Sequence, residues 1–287
     1  MDSVISMTVH RGESVKPPGD VIGVMVLNSA ADAVFRLAID AEDQGTVSVA
    51  TSGLDSLTDT RLQAVVRGDL DEVTWEEAET AMRRHTRIAV NFILTVAGGG
   101  VVATVGLAAS SRVTQATALV AAAIIAPVFE PLARLTLAAV NRHGRVMATG
   151  LLSAAVGYLT LIVSALLIVL ILRADGHGYT QTLLHSPVVH DMHEITLTSL
   201  LLTTAGATTG AIMVAAGRFT QLAGPLIALQ LIPATVVTGA ALELGRYSTA
   251  LHSLGQLAIN IGIVLAAALI VFGYKHVAAH DRRRPPR

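Results

Sequence analysis

Ser111–Val140, SRVTQATALVAAAIIAPVFEPLARLTLAAV, is the stretch from which the rest of the chain is best read. It is long and apolar enough to cross a hydrocarbon core, which takes about 20 residues of helix, yet it holds Pro127, Glu130, Pro131 and Arg134 in its interior. A second stretch, Gly217–Gly245 (GRFTQLAGPLIALQLIPATVVTGAALELG), aligns with it without a gap at a spacing of 106 residues. Arg112, Thr114, Gln115, Ala122 and Pro127 then face Arg218, Thr220, Gln221, Ala228 and Pro233. Carried back through Leu94/Leu200, Gly100/Gly206 and Ala109/Ala215, the alignment has eight identities over 94–133, where roughly three or four arise by chance in so apolar a chain. The Arg-x-Thr-Gln cluster followed twelve residues later by proline is the part that composition does not explain.

Composition places both stretches in a bilayer. The chain of 287 residues is 52% hydrophobic and only 14% charged, with a mean hydropathy of +0.61, too apolar for a soluble domain of this length. Charge is segregated: residues 1–86 carry 15 of the 21 acids but only 7 of the 20 bases, so the near-neutral total is a cancellation between two regions in different solvents. Cysteine is absent, which removes disulfides, thiolate catalysis and thiolate metal sites. The N-terminus, MDSVISMTVHRGESVKPPGD, has no apolar core of a signal peptide, so the first region is expected in the cytosol.

Four segments follow from this: a cytosolic α+β domain and linker over 1–73, a connecting helix over 74–87, a six-span membrane domain over 88–274 and a basic tail over 275–287. In the first, Val4 to Val9 alternates as a strand, Lys16-Pro17-Pro18-Gly19-Asp20 turns the chain, and Val21 to Leu27 reads as the second strand of a hairpin with a long loop. Asn28 or Ser29 caps a helix ending near Gly45, and Thr46 to Ala50 reads as a third strand. A further short strand is expected at Arg61 to Val66. Thr74 with Glu77 three residues on forms a capping box for the connecting helix.

From Ile88 the apolar segments are 88–109, 114–140, 146–172, 195–216, 220–244 and 250–274. With the N-terminus inside, eleven bases flank the inner ends of the spans (Arg83, Arg84, Arg87, Arg142, Arg145, Arg218, Lys275, Arg282, Arg283, Arg284 and Arg287) and three the outer ends (Arg112, Arg173 and Arg246). That asymmetry sets both termini in the cytoplasm. Each repeat has three spans, an odd number, so the second enters from the opposite side and the repeat is inverted.

The small α/β region with SVKPPGDV (14–21), the helix VTWEEAETAMRRHTR (73–87), IIAPVFEPLA (124–133), LQLIPATVVTGAALELG (229–245) and LGQLAINIGI (254–263) together resemble the prokaryotic membrane family known as domain of unknown function 389, in particular its actinobacterial members. The resemblance covers nearly the whole chain. It implies a multi-pass protein of the bacterial plasma membrane preceded by a ferredoxin-like domain, here incomplete because its first strand and helix are missing. It brings no established activity. The family's Pro-x-x-Gly-Pro run has glycine where this chain has Glu130.

Proline in a helix deletes a backbone hydrogen bond and crowds the carbonyl one turn back. Pro127 with Pro131, and Pro233 alone, are therefore expected to break spans two and five, with Pro131 opening a second half-helix whose positive end faces Glu130. The plain structural reading is a pair of packing kinks; the functional one is an ion or solute site between two broken helices. Glu130 and Arg134, at i, i+4, either neutralise one another or act as a protonatable carboxylate and its counter-charge. Gln230, Thr235, Gln256 and Asn260 offer neutral ligands, although lone polar residues in membrane helices more often bond neighbouring helices. Gly98-Gly99-Gly100 and Gly206-x-x-x-Gly210 mark close helix contact and not phosphate loops. His190 and His193, at i, i+3 beside Asp191 and Glu194, have the spacing of a weak metal site in what is otherwise a solvated loop. The tail HDRRRPPR suits anionic lipid, not nucleic acid.

Two functional classes are open. One is a transporter or channel for an ion or small solute, working between spans two and five. The other is a non-transporting anchor whose N-terminal domain senses or recruits a partner. No catalytic constellation is present and no cofactor is expected; the lipid bilayer is the expected surrounding, and a homo-oligomer is an open possibility.

Overall fold

The computed structural model describes residues 3–40, 47–52, 82–83, 86–176, 183, 186, 196–216 and 223–281. The chain divides into two compact units, Met1–Glu77 and Ala78–Arg287.

In the first unit, β1 (Val4–Val15) and β2 (Pro18–Val26) form an antiparallel hairpin, followed by α1 (Asn28–Asp40). The hairpin differs from its sequence reading: there is no long loop, because Val15 already pairs with Pro18. Two register shifts, at Val4/Ser6 and His10/Ser14, let the polar run HRGES stay in the strand although it breaks the alternation. Gly12 takes φ +68° inside the second shift, and its N–H donates to Asp20 Oδ1 at 2.8 Å. The third strand is a correction. Residues 47–50 are not in a strand, and Val47 and Val49 are exposed; β-branched alternation makes a strand only where a neighbouring edge supplies ladder partners. Among the described residues the sheet has two strands and the order is β-β-α. The expected strand at 61–66 and the capping box at Thr74 and Glu77 lie outside the described residues; Met82, Arg83 and Thr86 are helical.

The second unit is a bundle of α2 (Val90–Leu107), α3 (Arg112–Ile125), α4 (Glu130–Val140), α5 (Gly144–Ala174), α6 (Leu197–Ala215), α7 (Ala223–Glu243) and α8 (Tyr247–Asp281). Five helices are long and apolar enough to cross a membrane by themselves, and α3 with α4 makes a sixth span bent by 48°. These helices mark a multi-pass membrane protein. α7 is the hub: 72% of its apolar window is buried, against 28–44% for the other four, and it touches α2, α3, α5, α6 and α8. Glycines set the closest approaches. A β-carbon on Gly99 would stand 2.6 Å from Ala126 Cβ, one on Gly106 would collide with Ala118 Cβ, and one on Gly239 would collide with the Ile162 carbonyl oxygen.

Span two breaks and span five does not. Ala126, held extended (φ −93°, ψ 113°) as the residue before a proline tends to be, ends α3; α4 restarts at Glu130 with Pro131 in its first turn. Two prolines four residues apart remove bonds from successive turns, so the helix cannot bridge the gap. In α7 the single Pro233 lies inside a continuous helix, which corrects the expected break. Its missing N–H takes a donor only from Leu229, and donors supplied nearby hold the surrounding turns: Asn260 Nδ2 reaches the Gln230 carbonyl at 3.0 Å, Thr235 Oγ1 the Leu231 carbonyl at 2.7 Å and Thr238 Oγ1 the Ala234 carbonyl at 2.8 Å.

Candidate functional site

The break in span two holds the candidate site. Between α3 and α4 the chain turns tightly, Val128 N–H donating to the Ala126 carbonyl at 2.8 Å, and Tyr158 of α5 donates its hydroxyl to the Val128 carbonyl at 3.2 Å. The backbone freed by the prolines is thus satisfied from a neighbouring span, as hydrocarbon demands. α4 then starts with Leu132 and Ala133 N–H both on the Phe129 carbonyl. Glu130 stands in this first turn, where the positive end of the helix dipole favours a carboxylate.

The Glu130 carboxylate lies against a second helix start. Its Oε1 is 3.2 Å from where a β-carbon on Gly224 would sit, in the first turn of α7. The backbone N–H groups of Phe129 and Glu130 and the Tyr158 phenol oxygen are its other polar surroundings. Glu130 as a residue is half-buried, but its Oε2 is buried, and among the described residues nothing donates to it. A carboxylate oxygen with unused lone pairs inside an apolar bundle can take a proton or help hold a cation.

Arg134 faces elsewhere. Its Nη1 donates to Thr86 Oγ1 at 3.0 Å, Thr86 in turn donates to the Met82 carbonyl at 2.8 Å, and Ser153 Oγ of α5 donates to the Thr86 carbonyl at 2.8 Å. The ion pairs within 4.0 Å between described residues include His10–Glu13 and Arg173–Glu243 but not Glu130–Arg134. The i, i+4 spacing places the pair on one face, and the longer arginine side chain goes to the segment before span one.

The remaining residues singled out from the sequence fall into other places. Pro127 and Pro131 frame the break beside Glu130. Pro233 is about 13 Å further along the α7 axis than Gly224, so the structure does not bring it to the carboxylate. Gln230 and Asn260 are bonded to each other, Gln256 to Asn260, and Thr235, fully buried, to its own helix. His190 and His193 lie outside the described residues, among which there is no cluster of three metal-ligating side chains. Gln115 of the Arg-x-Thr-Gln cluster is structural, its Nε2 donating to the carbonyls of Ala109 (2.8 Å) and Leu107 (3.4 Å) and so closing the end of α2.

Three residues escaped the sequence reading. Tyr158 is an isolated tyrosine in a long apolar run, and nothing local marks it. Gly224 had a signal, the Gly-Pro pair that opens an apolar helix. Glu243, at the far end of α7, has an 8% exposed side chain and meets Arg173 Nη1 at 3.4 Å, tying the ends of spans three and five; its position at the edge of the apolar run hid it.

No curated protein and no solved structure matches the chain. A family model, Domain of unknown function (DUF389), matches residues 123–266, half of the chain, from just before the break in span two to the interior of α8. That segment holds Glu130, Pro131, Gly224, Pro233 and Asn260, and the chain belongs to the DUF389 family.

Proposed function

We propose that this protein moves an ion or small solute across the bacterial plasma membrane, and that the broken second span with Glu130 is where the moving species is held. One observation carries the reading: a carboxylate at the start of a half-helix, within an apolar bundle, has a buried oxygen to which no described residue donates. A carboxylate kept only for packing loses hydration that, at the orphaned oxygen, no bond recovers, and an apolar residue would fill the place at less cost. Broken helices in membrane proteins put backbone groups and helix ends at ion and solute sites. Under this reading the six spans form an inverted three-plus-three pair with both termini cytoplasmic, supported by the Arg-x-Thr-Gln repeat, by the excess of bases at one set of ends, and by glycines of spans one and four facing spans two and five, Gly99 at Ala126 and Gly206 near the Leu226 carbonyl.

The test is flux in reconstituted vesicles. Wild-type protein moves a proton, cation or small solute down an imposed gradient, and Glu130→Gln abolishes that flux or its ion dependence while remaining folded. A second reading, a membrane-anchored sensor or recruiting module, is favoured by the division of residues 1–77 from the bundle as a compact unit. Wild-type vesicles tight to every gradient would select it.

A further inference from the structure

The surroundings of Glu130 narrow the kind of ion it can hold. A metal ion entering a protein site exchanges its hydration for ligands, and an alkali cation calls for several oxygens at once. Around Glu130 the polar groups are of the opposite kind. Phe129 and Glu130 present N–H groups to the carboxylate, with the positive end of α4 behind them, and donors at a positive helix end repel a metal cation. Across from Oε1 the α7 wall is Gly224, followed by Pro225, and neither carries a side-chain oxygen. No described hydroxyl or amide side chain bonds to the buried Oε2.

Tyr158 does not supply what is missing. The Val128 carbonyl can only accept, so the phenol proton is committed to it at 3.2 Å. Its oxygen is left with lone pairs alone, and it gives an ionised Glu130 no bond. The charged groups of the packed helices do not supply it either. Arg134 donates to Thr86. α2 and α6 carry no titratable side chain, α3 only Arg112 at its other end, and α7 only Glu243, about 28 Å along its axis from Gly224. Beside Tyr158, α5 has Arg145 and Arg173 towards its two ends, and α8 has His252, Lys275 and His276. Among the described residues no ion pair within 4.0 Å includes Glu130.

One carboxylate oxygen with unused lone pairs, beside N–H donors and a phenol whose proton is taken, suits the one cation that needs a single ligand. We propose that the ion held at Glu130 is a proton, taken up on Oε2, and that the site does not bind sodium or potassium. Uptake turns the carboxylate and one proton into a neutral acid and calls for no other reactant; with the charge gone, Oε2 no longer needs the donors it lacks. The proposal rests on the ion-moving reading and names its ion, but the bound proton can be measured without any flux.

Dicyclohexylcarbodiimide tests it on the purified full-length protein in detergent. This apolar reagent reacts with the neutral acid: the carboxyl oxygen bonds to the carbodiimide carbon, the acid proton goes to a nitrogen, and an acyl shift to nitrogen leaves a stable N-acylurea with nothing expelled. Peptide mass mapping should find the adduct on Glu130. Its yield should fall as pH rises, by about tenfold for each further pH unit once the acid is mostly ionised. At fixed pH and ionic strength the yield should not change when sodium or potassium chloride replaces choline chloride. Protection by sodium or potassium, a yield flat with pH, or no adduct on Glu130 overturns the proposal. Vesicles separate it from the transport reading. Proton entry under an imposed membrane potential, lost in Glu130→Gln and without sodium or potassium flux, supports both. Sodium or potassium flux that Glu130→Gln abolishes overturns the proton and keeps transport. No flux of any kind, with labelling that follows pH and ignores the metal ions, overturns transport and keeps the proton site.

Discussion

Gly239→Ala tests the packing on which the bundle rests. Gly239 sits on the buried helix α7 facing α5, where an added β-carbon would overlap the Ile162 carbonyl oxygen and stand 2.9 Å from Ala165 Cβ and 3.1 Å from the Ile162 carbonyl carbon. The obstacles are backbone and a methyl group, none of which can rotate away, so α5 and α7 must separate by roughly 1 Å to restore ordinary contact. One methyl forced into a packed interior costs about 1–3 kcal/mol, against a helix-propensity gain of about 1 kcal/mol for replacing glycine by alanine. The net effect is expected near the upper part of that cost range less the gain, about 1–2 kcal/mol of destabilisation. Gly255→Ala is the internal control, since nothing lies within 4 Å of its β-carbon position, and it should be neutral or stabilising by up to about 1 kcal/mol. Gly100→Ala falls between them, because the first atom in its way is the Ser164 hydroxyl, which can turn. Reversible unfolding in mixed micelles, followed by circular dichroism, ranks the three. Equal stability of Gly239→Ala and Gly255→Ala would refute the α5–α7 contact.

Three further outcomes are expected. Arg134→Ala removes the donor to Thr86 and should lower stability by about 2–3 kcal/mol in the same unfolding assay, as a charge-assisted buried bond does; Thr86→Val should reproduce part of that loss. Gln115→Ala uncovers the Leu107 and Ala109 carbonyls at the end of α2 and should cost about 1 kcal/mol. In a chain with no cysteine of its own, Ser111→Cys should react with an impermeant thiol reagent from outside intact cells and Gly217→Cys only after permeabilisation; labelling of both from one side would remove the inverted repeat.

What can be read from the sequence is what local chemistry decides. The spans are legible because an apolar helix must be about 20 residues long to cross a bilayer, and the observed helices fall within a few residues of the expected segments, α7 at Ala223–Glu243 against 220–244, except that α8 continues past the expected end at 274 to Asp281. The break in span two is legible because Pro127 and Pro131 disable consecutive turns. Span five is not, because the donors that support α7 around Pro233 include Asn260, 30 residues from the carbonyl it reaches. The same limit hides the true setting of Arg134, whose partner Thr86 is 48 residues away, and the approach of Glu130 to Gly224. In the hairpin, polar HRGES looks like loop because a bulge, not alternation, carries the strand through it. A break recurring in both repeats would pair spans two and five symmetrically. With span five continuous, the site rests on Glu130 and its own surroundings.

The most direct measurement is flux through purified protein in vesicles, wild type beside Glu130→Gln. Glutamine keeps the shape and the oxygen facing Gly224 and cannot ionise, so the variant should fold with stability within about 1 kcal/mol of wild type while proton or cation movement is lost or no longer depends on the ion. Flux in Glu130→Gln equal to that of wild type, with the same ion dependence, would contradict the assignment of this carboxylate as the working residue.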